Sequence, residues 1–165
     1  MMKRIIQIFH RPPDFIIGSK ENPYLLRWWI VPRNRFLNIY LHNFLSSDED
    51  RALHDHPWWS CSIILRGGYR EHFPGGIVKR RWPGMMIFRR ATQAHRVELL
   101  DSDYFWSLEY PQRLPIKKSA WTLFITGRKV REWGFHCPQG WTHWRNFIGV
   151  PHGEARGDET GRGCE

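Results

Sequence analysis

Histidines at positions 54, 56 and 95 have the residue type and spacing of a metal site. In an extended segment residues i and i+2 project to the same side, so His54 and His56 of LHDHPWWSC direct both imidazoles at one point. His95 of QAHRVE follows a turn-rich hairpin region that can bring a later strand beside them. Three imidazoles that leave coordination positions open suit Fe(II), Zn, Ni or Mn. The alternative is a surface pair and an ordinary strand histidine.

Other side chains near these motifs are candidates for catalysis or for substrate contacts. His136 of EWGFHCPQGW can act as a general base or support a metal-bound histidine, or be a core or rim residue. Tyr40 and His42 share one face of a strand, which can look into a barrel or face solvent. Trp58 and Trp59 follow the histidine pair and can line a pocket or fill core. We take Tyr40 and His136 as catalytic candidates and the other three as substrate-binding candidates.

The elements that must position these residues are predicted to be short β-strands. FLNIYLHNFL at 36–45 alternates apolar and polar residues with period two, and the breaks between apolar runs are rich in Gly and Pro, as in RGG at 66–68 and FPGG at 73–76. Only SSDEDRAL and GWTHWRNF are briefly helical in pattern. Many short strands with frequent turns predict an all-β fold, a small antiparallel β-barrel or sandwich with little helix.

The length predicts one domain followed by a tail. A chain of 165 residues can bury one good core, which we assign to residues 1–152. Residues 153–165 contain Gly and charge and almost nothing apolar, so we expect a disordered tail there.

Composition also bounds the compartment. The mean hydropathy of −0.56 and the lack of an apolar run near 18 residues argue against a membrane-spanning helix. The apolar stretch in MMKRIIQIFHRPP is too short for a signal-peptide core, so we expect a cytoplasmic protein. Cys61, Cys137 and Cys164 are odd in number and widely spaced, which predicts free thiols rather than a disulfide framework.

The formal net charge of +9 raises the question of an anionic partner. The basic residues fall in short groups, KRR at 79–81 and RR at 89–90, between strand-like runs. They form no stripe on a helix and no known nucleic-acid motif. We therefore expect a small-molecule substrate, with neither nucleic acid nor a membrane as partner.

The order of the motifs resembles the cupin superfamily. HDH, a strand closing in Gly, a Gly turn, a second strand, a Pro-Gly turn and a strand histidine follow one another within residues 36–127. The resemblance implies a small jelly-roll barrel that holds a divalent metal on His54, His56 and His95. Small cupins often pair through their sheets, so a homodimer is a further expectation.

Within that superfamily the chain looks most like the cysteine dioxygenase type of thiol dioxygenase. HDHPWWSC and HRVE at 95–98 carry this likeness, which implies Fe(II) as the metal and places Cys61 near it, available for a thioether link to a tyrosine. The later strand WTLFITG has no tyrosine in that role. RALHDHPW and WGFH are also similar to segments of uncharacterised cupin-like proteins of bacteria and phages. Candidates for an arginine that holds a substrate carboxylate are Arg33, Arg35 and Arg51.

Three classes of function follow from these expectations. The first is a non-haem Fe(II) oxygenase acting on a small molecule, with Cys61 among the catalytic candidates. The second is a metal-dependent isomerase, epimerase or lyase, in which the cation polarises the substrate and a base such as His136 moves a proton. The third is a cupin that binds a metal or ligand without catalysis.

Overall fold

The computed structural model of the protein describes residues 11–18, 23–48, 52–101, 118–149 and 163–164. These residues form short β-strands, a 3-10 turn at Pro74–Gly76 and one short α-helix, which follows the last strand and begins within the predicted GWTHWRNF segment. The elements are β1 (Phe15–Gly18), β2 (Pro23–Trp29), β3 (Asn38–Phe44), β4 (Leu53–His54), β5 (Ser60–Arg66), β6 (Tyr69–His72), β7 (Val78–Arg81), β8 (Met86–Arg89), β9 (Arg96–Leu99), β10 (Ala120–Thr126), β11 (Gly134–Cys137), β12 (Gly140–His143) and α1 (Trp144–Ile148).

The strands form three antiparallel sheets. One has six strands in the order β1-β2-β3-β10-β5-β8, and two have three strands in the orders β12-β11-β4 and β7-β6-β9. Neighbours in the sheets are often far apart in sequence, as with β3 beside β10, which is typical of a jelly roll rather than a meander. The prediction of an all-β antiparallel fold with little helix is confirmed.

The period-two pattern sorts side chains between the inside and the outside of the barrel. Tyr40 and His42 on β3 lie opposite Phe124 and Thr122 on β10, and Phe124 lies opposite Ser62 on β5. Paired residues share a face of a sheet, so all five side chains belong to the inner face. The face that carries Tyr40 and His42 therefore looks into the barrel.

One end of the interior is an apolar core. It joins the six-stranded sheet to β6 and β9, because the two sheets contribute buried side chains to a single cluster. Full burial of each large aliphatic or aromatic member stabilises the fold by about 1.5–3 kcal/mol. The cluster consists of Ile64, Tyr69, Ile87, Val97, Leu99 and Ala120, with Phe44 packed against it.

The cysteines differ from expectation. Cys137 of β11 forms a disulfide with Cys164, whereas Cys61 is free. The prediction that all three thiols are free is therefore wrong, because spacing along the chain does not report that the C-terminal end returns to β11. Gly163 donates its backbone N–H to the carbonyl of Phe147 in α1, and the rest of the predicted tail lies outside the described residues.

No helix in the described ranges is long and apolar enough to cross a membrane.

Candidate metal centre

A backbone bridge brings two of the three predicted ligands together. His54 ends β4, and its N–H donates to the carbonyl of His95 at 2.9 Å, while the N–H of His95 donates back to His54 at 2.9 Å. This mutual pair is an antiparallel bridge, in which side chains that lie opposite each other share a face. The later segment thus returns beside the HDH segment.

The three rings converge on one point. Their centroids are 5.1 Å apart for His54 and His56, 5.0 Å for His54 and His95, and 5.2 Å for His56 and His95. Nε2 of His56 lies 3.0 Å from Nε2 of His95, and one ring nitrogen from each of the three residues lies within 4.8 Å of the others. Two nitrogens bound to one ion at about 2.1 Å lie roughly 3 to 4 Å apart, so His56 and His95 already have this spacing, and the group as a whole is close to that of a single metal site.

The surroundings keep at least two of these rings neutral. Burial lowers the pKa of His56 well below its ordinary value, and the neighbouring histidines and Arg89 add to this effect. Burial also lowers the pKa of His95 to about 4, although Glu71 opposes the shift. A metal binds the neutral imidazole, so these pKa values leave both rings ready as ligands at neutral pH.

Glu71 supports His95 from behind. Its Oε1 lies 2.8 Å from Nδ1 of His95, Arg81 donates from Nε to Oε2 at 2.6 Å, and Nε of Arg89 donates to Oε1 in a very short contact. Burial alone would raise the pKa of Glu71, but the hydrogen bond from His95 and the charge of Arg89 hold the pKa well below its usual range. The ionised carboxylate of Glu71, 2.8 Å away, favours the proton on Nδ1 of His95 and leaves Nε2 with its lone pair toward His56.

Arg89 is itself fixed on the inner face. Its Nη1 donates to Oγ of Ser62 at 2.8 Å and its Nη2 donates to the hydroxyl of Tyr69 at 3.2 Å. Sequence analysis missed Glu71 and Arg89. The signal was present in YREH, where Glu71 lies two residues after the buried Tyr69 and so shares its face.

Cys61 does not lie beside the histidines. It alternates with Ser60 and Ser62, which are buried on the inner face, and it is paired across the sheet with Phe88 and Ile125. Phe88 is exposed on the outer face, so the thiol of Cys61 projects outward. The expected position of Cys61 near the metal is therefore wrong, because the chain turns after His56 and the alternation restarts in β5.

His136 also faces away from the three histidines. It lies next to Phe135, whose ring is 5.9 Å from His54, and neighbouring strand residues project to opposite faces. Its Nε2 donates to Oδ2 of Asp55 at 3.1 Å, and its side chain is 38% exposed. The expectation that His136 approaches the metal cavity as a base is therefore corrected.

Tyr40 and His42 lie inside the barrel, close to the cluster. Nε of Arg27 donates to Nε2 of His42 at 2.8 Å, and the His42 ring stacks on Phe124 at 4.9 Å between centroids. Phe124 in turn lies 6.2 Å from His56. Burial lowers the pKa of His42 well below its ordinary value, and the charge of Arg27 lowers it further. His42 is thus a neutral acceptor for Arg27.

The other substrate-binding candidates are in different positions. Trp58 lines a cavity of about 390 Å³ at the mouth of the barrel, together with Tyr40 and Arg27. Trp59 stacks on Phe88 at 5.7 Å on the outer face and is 37% exposed, so it does not line that cavity. Arg51 lies outside the described residues.

Comparison with solved structures identifies the fold. The DMSP lyase DddQ from Ruegeria pomeroyi is 14% identical over 75% of this chain and 57% of that chain, with a TM-score of 0.51. The Fe(II) form of HppE is 13% identical over 71% of this chain and 57% of that chain, with a TM-score of 0.51. A cupin-2 domain protein from Rhodospirillum rubrum is 11% identical over 76% of each chain, with a TM-score of 0.52.

These similarities confirm the cupin type of fold, at identities that show the fold alone. The chain spans little more than half the length of DddQ and HppE. No family model matches the sequence, and no curated protein matches it either. The fold alone does not determine the chemistry of this chain, which depends on its own residues.

Proposed function

We propose that His54, His56 and His95 bind one divalent metal ion and that the protein is a metal-dependent enzyme for a small molecule. The leading activity is that of a non-haem Fe(II) oxygenase. When bound, Fe(II) would supply open coordination positions where O2 and a substrate can meet.

The approach of three imidazoles inside the barrel carries this proposal. A hydrogen bond from His56 to His95 would account for their 3.0 Å contact, but it would not explain why His54 converges on the same point. The Nε2 atoms of His56 and His95 face each other away from water, and such imidazoles are stabilised when a cation replaces their lost water. Glu71 adds a support that is common behind metal-bound histidines.

Two observations favour the oxygenase over proton-transfer chemistry. The expected base, His136, is turned to Asp55, and rings that do not ionise, those of Phe124, Trp133 and Phe135, lie near the cluster. Chemistry led by the metal therefore fits this interior better than chemistry led by a side-chain base. The fold itself does not separate the two candidates, because the Fe(II) form of HppE and the DMSP lyase DddQ match this chain with the same TM-score of 0.51.

The second candidate is a metal-dependent lyase, isomerase or epimerase. DddQ has the same fold and is a DMSP lyase. A cupin that binds a metal or ligand without catalysis is the third candidate. The metal site is common to the first two, and the consumption of O2 separates them.

The metal site is tested with the His95→Ala variant and a matched control. Untagged protein is loaded with Fe(II) without air, and bound metal is counted after gel filtration. We expect about one Fe(II) per chain in the wild type and a loss of at least tenfold in affinity in His95→Ala. His72→Ala is the control, because His72 lies on the outer face of β6 and pairs with Glu98 at 2.7 Å. Equal metal loss in both variants, or none in either, would contradict the proposal.

The activity is tested by O2 uptake. Loaded protein is mixed with a panel of small thiols, carboxylates and phosphate esters, and an oxygen electrode follows the reaction. We expect uptake that needs both Fe(II) and one compound of the panel. Product formation without O2 uptake, by the Zn or Ni form, would favour the second candidate instead.

A further inference from the structure

The cavity at the barrel mouth is strongly cationic. Of the described residues that line it, five are basic and none is acidic, and Trp29, Asn34 and Tyr40 are among the rest. The basic residues are Arg27, Arg33, Arg35, Arg128 and Lys129. Positive charges that surround a concave site focus the field and attract anions.

Nearby acidic groups leave most of this charge uncompensated. Asp14 accepts the backbone N–H of Trp29 but pairs with Arg11 at 2.8 Å and does not line the cavity. Lys129 pairs with Glu132 in an exposed contact. In the described part of the chain, no carboxylate pairs with Arg33, Arg35 or Arg128.

The floor of the cavity is built rather than merely charged. The guanidinium of Arg27 lies 4.8 Å from the ring centroid of Tyr40 and 5.7 Å from that of Phe15, while its Nε donates to His42. These contacts fix its planar donor group at the end of the barrel interior. At the rim, Arg33 stacks over Trp29 at 5.6 Å, which orders a second guanidinium.

The cavity lies near the three histidines. Tyr40 forms part of its lining, and the Tyr40 ring lies 6.5 Å from Phe124, which lies 6.2 Å from His56. A single aromatic ring therefore lies between the floor and the cluster. The anion-binding cavity and the proposed metal site are thus neighbours, with the Phe124 ring between them.

We propose that this cavity holds the substrate by a phosphate or carboxylate group, so that the enzyme acts on a small anionic molecule. Guanidinium groups match the planar geometry of carboxylates and phosphates and bind them with paired hydrogen bonds. The volume of about 390 Å³ is that of a small-molecule site rather than a surface for a polymer. That the bound anion is a substrate rests on the proposed function, whereas the anion-binding site itself rests on the residues that line the cavity.

Binding to metal-free protein tests the cavity alone. The probes are glucose 6-phosphate and citrate, with glucose as the neutral match, followed by calorimetry and by Trp fluorescence, because Trp29 and Trp58 line the cavity. We expect at least one anion to bind and to weaken as salt rises, and glucose not to bind. Binding of glucose 6-phosphate but not citrate would identify phosphate as the recognised group, and binding of citrate alone would identify carboxylate. No binding of either would overturn the proposal.

Variants locate the binding. Arg33→Ala with Arg128→Ala removes two exposed rim cations and should weaken anion binding at least tenfold. Arg80→Ala removes an exposed cation of β7 that lies 5.5 Å from the Trp82 ring and does not line the cavity. It should change anion binding less than twofold. Equal weakening in both variants would show general attraction to the net charge and would overturn the site. So would tighter binding of a single-stranded oligonucleotide that the rim variant weakens in the same way.

Metal binding of the same proteins separates this inference from the proposed function. The rim variant should bind Fe(II) as the wild type does, and His95→Ala should lose Fe(II) while still binding the anion. Anion binding without metal binding would support the anion-binding site and contradict the proposal of a metal-dependent enzyme. Metal binding without anion binding would do the reverse.

Discussion

Two buried carboxylates, Glu71 and Asp55, have the same kinds of partner, arginine and histidine, and lie on opposite sides of the segment that carries His54 and His56. Glu71 is fully buried and contacts Arg81, Arg89 and His95. Asp55 is 1% exposed and contacts Arg131 at 2.7 Å and His136 at 3.1 Å. Each carboxylate thus contacts one histidine and at least one arginine.

What differs is the face of the sheet. Glu71 supports a histidine that points into the barrel at two others, whereas Asp55 joins His136, the indole of Trp141 at 3.1 Å and the backbone N–H of Gly134 at 2.9 Å. The Asp55 contacts tie the HDH segment to β11 and β12, the opposite side of the strand from the cluster. The same combination of carboxylate, histidine and arginine therefore orients a candidate metal ligand at Glu71 and connects neighbouring strands at Asp55.

The largest expected effect comes from Glu71→Ala. The change leaves Arg89, which is 2% exposed, without its carboxylate, and breaking such a buried pair costs about 3–5 kcal/mol. Urea unfolding measures the free energy, and Glu71→Gln, which keeps one acceptor, should in addition lower metal affinity about 10- to 100-fold. Glu98→Gln, on the outer face with Arg70 and His72, should cost less than about 1 kcal/mol. Similar costs for Glu71→Ala and Glu98→Gln would contradict the assignment.

Asp55→Asn should separate stability from metal binding. It weakens the contacts to Arg131 and His136 and should cost about 1.5–3 kcal/mol, the range for hydrogen bonds to a charged group. Metal affinity should stay within twofold of the wild type, because Asp55 lies on the other side from the cluster. A tenfold loss of metal from a folded Asp55→Asn protein would erase the contrast with Glu71.

Acid should destabilise the metal-free protein through the inward histidines. Because burial lowers the pKa of His95 to about 4, the unfolded chain takes up a proton near its ordinary value of about 6.5, and the folded chain does not. Stability from this residue is complete above about pH 6.5 and is lost as the pH falls toward 4, by up to about 3 kcal/mol. The lowered pKa values of Glu71 and Asp55 act at lower pH. Denaturant unfolding between pH 7 and 5 should therefore show a slope that His95→Phe reduces, and an unchanged slope would contradict it.

The smallest effect is expected for Cys61→Ser. The thiol lies on the outer face opposite Phe88, so the change should leave metal affinity within twofold and cost less than about 1 kcal/mol. A strong loss of metal would show that Cys61 reaches the cluster and that the face assignment of β5 is wrong. Metal titration of the folded variant gives the result directly.

The sequence predicted the strands and the pairing of His54 with His56 because both depend on local pattern. Alternation in FLNIYLHNFL places Tyr40 and His42 together, and the two-residue spacing places His54 beside His56. His95 needed the resemblance, since nothing in QAHRVE itself states which strand it will meet.

The errors arise where position depends on long-range packing. Pro57 interrupts the alternation after His56, so the face of Cys61 could not be carried forward from the histidines. The side chain of Phe135 points inward and that of His136 outward, and a shift of one residue in the register of β11 would have exchanged their faces. Glu71 and Cys164 depend on contacts with residues 18 and 27 positions away, which no local pattern reports.

The bridge between His54 and His95 has a consequence for how the chain folds. His56 and His95 are 39 residues apart, and closing a flexible loop of that length costs about 3 kcal/mol of chain entropy before any contact is gained. The full ligand set therefore exists only after β6 to β9 have docked against β4. Because the ion has no complete site until this loop has closed, we expect it to slow unfolding much more than it speeds folding, which stopped-flow unfolding with and without metal would measure.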